Sequence, residues 1–184
     1  MSGRSKTMRT AEAPSSTLIA IDLQMKLMPA IDGAAEIVAN ARRLIEAAAL
    51  LGASTIFTEQ NPGRLGPTVA ELPRERAPVV AKMTFDGCDA PGFLEALPED
   101  HALLLVGCEA HVCVLQTALG LIERGRRVHV VSDAVGSRRA TNKEAALTRM
   151  ERHGAEIVTT EMVVFEWLKS AAHPRFREVA ALIK

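Results

Sequence analysis

Short apolar segments alternate along this chain with longer segments in which hydrophobic residues recur at helical spacing. The short segments, rich in Val, Ile, Leu and Ala, are predicted to be β-strands: residues 17–21, 54–57, 78–81, 102–106, 127–131 and 156–159. Most of them are apolar at successive positions, which is typical of strands covered on both faces. The pattern therefore predicts a sheet that lies between two layers of helices.

Segments with the 3.6-residue period of an amphipathic helix separate several of these strands. The predicted helices are residues 34–51, 111–124, 141–153 and 175–183. Gly52, Gly125 and Gly154 each follow a helix and precede a strand, as expected of the left-handed residue that ends a helix. This order predicts the α/β class, as a three-layer α/β/α domain whose parallel strands are joined by right-handed crossovers.

The chain is long enough for one domain with a substantial core. Its 184 residues lead us to place a single domain at residues 17–184. Residues 1–16 are polar and lack an apolar stretch, so we expect a flexible tail, with a short mitochondrial import segment as the alternative. Residues 59–73 are rich in Pro and Gly and are predicted to form a loop over the carboxyl edge of the sheet.

Composition limits the classes of partner. Lys plus Arg and Asp plus Glu both number 22 and aromatic residues make up 3%, so neither a basic surface nor a stacking platform for nucleic acid is expected. No apolar run approaches the about 20 residues of a membrane span. Cys88, Cys108 and Cys113 have neither CxxC nor zinc-type spacing. We therefore expect reduced thiols, no metal and a cytoplasmic protein.

Three chemically active residues occur where predicted strands end. Asp22 follows the first strand, Lys82 follows the third, and Cys113 lies in the first turn of the helix after the fourth. Each has an ordinary alternative, because an Asp can cap a turn, a Lys can be solvated and a Cys can be a small buried apolar residue. Ligands bind at the carboxyl edge of open α/β sheets, so the joint placement of these residues favours a catalytic site.

The three residue types together fit nucleophilic catalysis. A thiol must ionise to attack, and a helix N-terminus with a nearby ammonium, here that of Lys82, lowers a cysteine pKa. Asp22 can take the thiol proton and later return it to a leaving amine. Attack on a carbonyl produces an oxyanion, which the backbone N–H groups of Glu109 and Cys113 can receive.

The chain resembles the isochorismatase-like cysteine hydrolases in three ordered segments. These are TLIAIDLQMKLMPAI from Thr17, AKMTFDGCDAPGF from Ala81 and GCEAHVCVLQTALGLIERG from Gly107. The resemblance covers nearly everything from Thr17 to Lys184 and is closest to the small isochorismatase-domain hydrolases of unassigned substrate. It implies a Rossmann-like six-stranded parallel sheet in the order 3-2-1-4-5-6, a small-molecule substrate, no cofactor and a homo-oligomer.

The resemblance also implies roles for individual residues. Asp22, Lys82 and Cys113 match the catalytic triad of the superfamily, as proton shuttle, stabilising ammonium and nucleophile. A cis peptide bond is expected between Cys108 and Glu109, where it would direct the Glu109 N–H into the oxyanion hole.

Two departures from better-known branches narrow the activity. Nicotinamidases of this superfamily hold a metal with an Asp and histidines after strand two, and no His occurs in that stretch here, which is Thr58, Glu59, Gln60 and Asn61. Isochorismatases that cleave a vinyl ether typically lack a cysteine at the position of Cys113. Both departures favour amide hydrolysis that does not depend on a metal.

Other residues of the resembling segments are weaker candidates. The predicted lining of the substrate pocket is Gln24, Met28, Phe85, His111 and Leu115. A hydrogen-bonded turn residue is the favoured interpretation of His111, and polarisation of the thiol is the alternative. Cys108 is expected to pack in the core, with a redox pairing to Cys113 as the alternative. Asp133 and Arg138 are interpreted as a structural ion pair or as turn residues.

The leading hypothesis is a hydrolase that cleaves a small amide or related carbon–nitrogen bond through a thioester on Cys113. One alternative keeps the fold but has Asp22 act as the acid of a vinyl-ether hydrolase, with the cysteine incidental. The other is a non-catalytic or redox-sensing scaffold. Each stays open on the sequence, because the same three residues serve several reactions.

Overall fold

A six-stranded parallel sheet forms the centre of the computed structural model, which describes residues 10–75 and 77–184. Its strands are β1 (Ser16–Ile21), β2 (Ser54–Gln60), β3 (Val79–Lys82), β4 (Ala102–Cys108), β5 (Val128–Gly136) and β6 (Glu156–Val158). The strand order is β3-β2-β1-β4-β5-β6, and neighbouring strands pair in parallel. The predicted fold class, parallel sheet and strand order are confirmed.

Helices connect the strands and cover the sheet. They are α1 (Ala34–Leu51), α2 (Pro62–Leu65), α3 (Leu115–Glu123), α4 (Ala140–Arg152), α5 (Thr160–Leu168) and α6 (Phe176–Leu182). A π-helical turn, Ala110–Val114, leads into α3. The helix predicted at 111–124 therefore begins with this turn and is a regular α-helix only from Leu115. In the part of the chain that the structure describes, no helix is both long and apolar enough to cross a membrane.

Side chains of the central strands alternate between two hydrophobic cores. In β1, Leu18 and Ala20 belong to the core under α1, α5 and α6, whereas Ile19 and Ile21 belong to the core under α3 and α4. Successive residues of a strand point to opposite faces, so a strand between two helical layers is apolar throughout. This explains the run of successive apolar residues from which the two-sided sheet was predicted.

The sequence pattern did not predict helix α5, nor the short α2, which lies within the predicted loop at 59–73. The residues of α5 are mostly apolar and include two adjacent valines, so no polar face defines a helical period. Hydrogen bonds at its first turn set where it begins: Thr159 Oγ1 accepts from Met162 N–H at 3.3 Å, and Asp133 Oδ1 accepts from Thr160 N–H at 2.8 Å. Because Thr159 caps the helix, β6 ends one residue earlier than predicted.

The flexible tail predicted at residues 1–16 includes residues that pack against the domain. Residues 1–9 lie outside the described residues. Ala11 and Ala13 are buried, the Ala11 N–H donates to Glu166 Oε2 at 2.8 Å, and Trp167 Nε1 donates to Ser16 Oγ at 3.2 Å. These contacts hold the segment against α5.

The predicted loop at 59–73 begins later than expected, because β2 continues to Gln60. A buried carboxylate holds the rest of this segment in place. Glu59 Oε1 accepts from Thr68 N–H at 2.7 Å, from Thr68 Oγ1 at 2.9 Å and from Arg74 Nη1 at 3.1 Å. The loop is therefore fixed to the end of β2.

Candidate active site

Asp22 lies directly after β1 and is fully buried. Its backbone is in the left-handed region, with φ 53°, a conformation that Asp tolerates better than most residues. The carboxylate accepts two short hydrogen bonds, one at Oδ1 from Thr58 Oγ1 and one at Oδ2 from Lys82 Nζ, both at 2.7 Å. Asp22 is therefore held in one orientation inside the protein.

Lys82 ends β3, and its side chain has no solvent exposure. Its Nζ donates to Asp22 Oδ2 and to Gln60 Oε1, both at 2.7 Å, and contacts the Thr84 carbonyl oxygen at 3.4 Å. A buried ammonium is tolerated only when it is paired and hydrogen-bonded. The Asp22–Lys82 ion pair meets this condition and leaves the site with no net charge from these two groups.

Cys113 lies in the π-helical turn between β4 and α3 and is 6% exposed. Burial is the main cause that raises the pKa of its thiol to about 12, and the Asp22 carboxylate acts in the same direction. The charge of the Lys82 ammonium lowers this pKa. Hydrogen bonding to Asp22 raises the pKa further, and hydrogen bonding to Lys82 lowers it. The structure thus brings the three predicted residues together, but the expected low thiol pKa is wrong, because burial outweighs the ammonium.

The turn that carries Cys113 has an unusual backbone. The Cys108–Glu109 peptide bond is cis, as the resemblance implied. Just before it, Gly107 has φ 127°, and a Cβ at that position would lie 2.0 Å from the carbonyl oxygen of Ile21. Only glycine permits β4 to approach the end of β1 this closely. The assignment of the Glu109 and Cys113 N–H groups to an oxyanion hole stays a prediction.

The side chain of Glu109 has its own partners in this region. Its Oε1 lies 2.5 Å from Arg138 Nε, and its Oε2 lies 3.4 Å from His111 Nδ1. His111 Nδ1 also lies 2.9 Å from Ser137 Oγ, and His111 Nε2 lies 3.4 Å from Asn142 Nδ2. These contacts favour His111 as a hydrogen-bonded turn residue, the interpretation preferred from the sequence.

Asp133 and Arg138 have separate roles, so the ion pair between them is not formed. Asp133 Oδ1 accepts from the N–H and the hydroxyl of Thr160 at the start of α5, at 2.8 and 2.9 Å. Arg138 pairs with Glu109. Both residues support segments next to the site.

Gln24, a predicted pocket residue, is fully buried, and its amide binds backbone groups. Its Nε2 donates to the carbonyl oxygens of Gln60 at 3.0 Å and Gly66 at 2.7 Å, and its Oε1 accepts from the Gln60 N–H at 2.8 Å. These bonds join the end of β2 to the loop that follows it. Gln24 therefore supports the backbone beside the site, and contact with a substrate stays a prediction for it.

The other predicted pocket residues differ in exposure. Met28 is buried in the core under α1 with its Sδ 3.7 Å from Cys108 Sγ, Leu115 is buried in the core on the other face, and Phe85 is 51% exposed. Cys108 and Cys113 belong to different cores, which agrees with the packing role favoured for Cys108. Burial also raises the pKa of the Cys108 thiol.

Sequence reasoning missed two residues of the site, Thr58 and Gln60. Both lie on β2, which is placed between the strands that end at Asp22 and Lys82. They are two positions apart, so they share one face of the sheet. The available signal was the run of polar residues Thr58, Glu59 and Gln60 that ends this strand after the apolar Ile56 and Phe57. Among the described residues, no group of three or more His, Cys, Asp or Glu could hold a metal ion.

Comparison with known sequences identifies relatives over most of the chain. A family model described as "Isochorismatase domain" matches residues 16–162. "Isochorismatase domain-containing protein 2A" of Mus musculus is 39% identical over 171 residues, which are 92% of this chain and 83% of the mouse protein. "Isochorismatase domain-containing protein 2" of Homo sapiens is 40% identical over 171 residues, again 92% of this chain and 83% of the relative.

Solved structures show the same fold. A structure described as MAR1 ribonuclease from Caenorhabditis elegans has a TM-score of 0.89 and 42% identity, over 95% of this chain and 92% of that one. YcaC from Pseudomonas aeruginosa, described with hexane-2,5-diol and covalent acrylamide, has a TM-score of 0.82 and 25% identity, over 96% of each chain. On the family match and the similarity to these relatives, the chain belongs to the isochorismatase family.

Proposed function

We propose that this protein is a cysteine hydrolase that cleaves a small amide or a related carbon–nitrogen bond through a thioester on Cys113. The observation that carries the proposal is the buried Asp22–Lys82 ion pair, whose two groups both act on the Cys113 thiol. A base, a cation and a nucleophile that meet in one desolvated place are the parts that covalent acyl transfer needs.

The first step forms a carbon–sulfur bond. The raised pKa keeps the proton on the Cys113 thiol in the resting site, so a base must remove it as the substrate reacts. Asp22 takes this proton, and Lys82 stabilises the sulfur as its charge develops. The sulfur adds to the substrate carbonyl carbon, and the resulting oxyanion accepts hydrogen bonds from the N–H groups of Glu109 and Cys113.

The remaining steps release the two products. Asp22 gives its proton to the amine nitrogen as the carbon–nitrogen bond breaks, which leaves a thioester on Cys113. A water molecule then loses a proton to Asp22 and adds to the thioester carbon. The carbon–sulfur bond breaks, the acid leaves, and Asp22 returns the proton to the sulfur. One water is consumed, and the protein ends in its starting state.

Two relatives bear on the choice of substrate. The Pseudomonas aeruginosa relative is described with covalent acrylamide, which is a small uncharged amide that alkylates thiols. The Caenorhabditis elegans relative is described as a ribonuclease. A chain with zero formal net charge and a buried site offers little to a polyanion, so we favour a small neutral amide over RNA.

The test is a panel of small amides, ureas, isochorismate and a short RNA, offered to the wild type and to Cys113→Ala. We expect amide hydrolysis by the wild type and a loss of about a thousandfold or more in Cys113→Ala. Full amide turnover by Cys113→Ala would overturn the proposal. Isochorismate turnover that survives this substitution would select the vinyl-ether alternative, and no turnover of any compound would favour the scaffold.

We also propose that copies of this chain associate. Met83 and Phe85, which follow Lys82 along the chain, are 71% and 51% exposed, and Met25 near Asp22 is 56% exposed. Large apolar side chains with this much exposure, on segments next to the candidate site, favour an interaction surface there. Light scattering after size-exclusion chromatography measures the mass, and the mass of one chain at micromolar concentration would contradict this proposal.

A further inference from the structure

Strand β2 supplies both uncharged partners of the buried ion pair. It lies between β1 and β3 in the sheet, and Gln60 is the register partner of Lys82. Thr58 binds the Asp22 carboxylate, and Gln60 binds the Lys82 ammonium, each at 2.7 Å. The ion pair is therefore held from the strand between its two members.

The orientation of the Gln60 side chain is fixed by a second contact. Its Nε2 donates to the Met83 carbonyl oxygen at 2.8 Å, so its Oε1 faces the ammonium of Lys82. The Gln60 backbone is held as well, because its N–H and C=O both bind the amide of Gln24. A side chain restrained at both ends can place its oxygen accurately.

An ammonium has three N–H donors, and their use at Lys82 is unequal. Two of them make 2.7 Å bonds, to Asp22 and Gln60, while the contact with the Thr84 carbonyl is long, at 3.4 Å. The third donor is thus the one that can turn to the Cys113 sulfur, whose pKa the ammonium lowers. Gln60 accepts a bond without bringing a charge, so it adds no second negative charge beside the ammonium.

We infer that Gln60 is a positioning residue, which directs the third Lys82 N–H to the Cys113 sulfur and, being neutral, preserves the ammonium's effect on the thiolate. This inference rests on the proposed function, since it assigns Gln60 to the same reaction. It does not require contact between Gln60 and the substrate.

The test measures the rate at which iodoacetamide alkylates Cys113 between pH 7 and 10, followed by mass spectrometry of the peptide that contains this cysteine. Gln60→Glu keeps the shape of the side chain and adds a second carboxylate on the ammonium. We expect a profile shifted upward by about one pH unit, which is a rate about tenfold lower at a fixed pH. The signal that disappears in Cys113→Ala is the one that comes from alkylation of Cys113.

Gln116→Glu is the matched control. Gln116 is exposed on α3, three residues from Cys113 along the chain, so this variant adds the same charge without a contact to Lys82. We expect its profile to match the wild type. An unshifted profile in a folded Gln60→Glu protein, or an equal shift in Gln116→Glu, would overturn the inference.

Gln60→Leu keeps the inference testable if Gln60→Glu does not fold. It removes the acceptor, so the ammonium is free to move away from the sulfur, and we expect alkylation at pH 8 to be about fivefold slower. A wild-type rate would overturn the inference. Alkylation needs no turnover, so these results stand apart from the proposed function, which the substrate panel with the wild type and Cys113→Ala tests separately.

Discussion

Two buried polar regions of this protein differ in whether their ionisable side chains have partners. At the carboxyl ends of β1 and β3, Asp22 and Lys82 are fully buried and carry opposite charges in contact. In β5, His129 is 1% exposed, and neither ring nitrogen has a hydrogen-bond partner among the described residues. The nearest carboxylate oxygen, Glu156 Oε2, lies 3.7 Å from His129 Nδ1, too far for a hydrogen bond.

The difference shows what allows charge inside this fold. The ion pair is supported by hydroxyl and amide groups of β2, so both members can stay charged. His129 has no such support, and burial lowers its pKa below the ordinary value of 6.5. Charge is therefore kept where the proposed chemistry uses it and is suppressed in β5.

The largest effect is expected from breaking the ion pair. Lys82→Met leaves the Asp22 carboxylate buried without a cation, which we expect to lower the free energy of unfolding by about 3 to 5 kcal/mol. Urea unfolding measures this loss. The double variant Asp22→Asn/Lys82→Met removes both charges and should recover most of it. A single variant that is as stable as the wild type would show that the ion pair is not desolvated as described.

An intermediate effect is expected in β5. Because burial lowers the pKa of His129 in the folded protein, the unfolded chain takes up the proton first as the pH falls. His129 therefore causes no pH-dependent change in stability above about pH 6.5, and the protein loses stability as the pH falls from there towards the lower folded pKa. Three nearby charges modify this pKa. The carboxylates of Glu156 and Glu166 raise it, and the guanidinium of Arg127 lowers it.

His129→Leu tests this account. It should raise the free energy of unfolding at pH 7 by about 1 kcal/mol, because an unpartnered polar ring is removed, and it should flatten the loss of stability between pH 7 and 5. Thermal unfolding over that range is the measurement. The control is His153→Leu, at an exposed histidine, which should keep the acid loss of the wild type. An unchanged acid loss in His129→Leu would rule out His129 as its source.

The smallest effect is expected at the edge of the site, where Arg138 is 61% exposed and pairs with Glu109. Arg138→Gln should lower the free energy of unfolding by about 1 kcal/mol or less, because exposed ion pairs contribute little. Arg175→Gln, which breaks the exposed pair with Glu178, provides the comparison by thermal unfolding. If Arg138→Gln lowered the free energy of unfolding as much as Lys82→Met does, solvent exposure would not explain the difference between the two ion pairs.

The fold could be predicted because strands covered on both faces leave an unambiguous pattern. Successive apolar residues, helical periods and glycines at helix ends gave the sheet and four helices. Helix α5 escaped because its apolar residues have no polar face and its start depends on Asp133, which lies 27 residues away along the chain. The N-terminal contacts were missed for a related reason, since Ala11 and Ser16 bind residues of α5.

The candidate site was predictable in its members but not in its electrostatics. Asp22, Lys82 and Cys113 could be placed at one edge from strand ends alone. The depth of burial, which reverses the expected direction of the Cys113 pKa, depends on side chains from several elements and leaves no local signal. The supporting role of Gln60 likewise depends on β2 lying between β1 and β3, which follows from the sheet order and not from spacing along the chain.

The most direct test of the central claim is acid-quenched mass spectrometry of the protein mixed with the amide that it turns over fastest in the panel. A thioester mechanism predicts a transient mass gain equal to the acyl group, without the amine, on the peptide that holds Cys113. Turnover with no acyl group on that peptide, at a rate that Cys113→Ala retains, would contradict it.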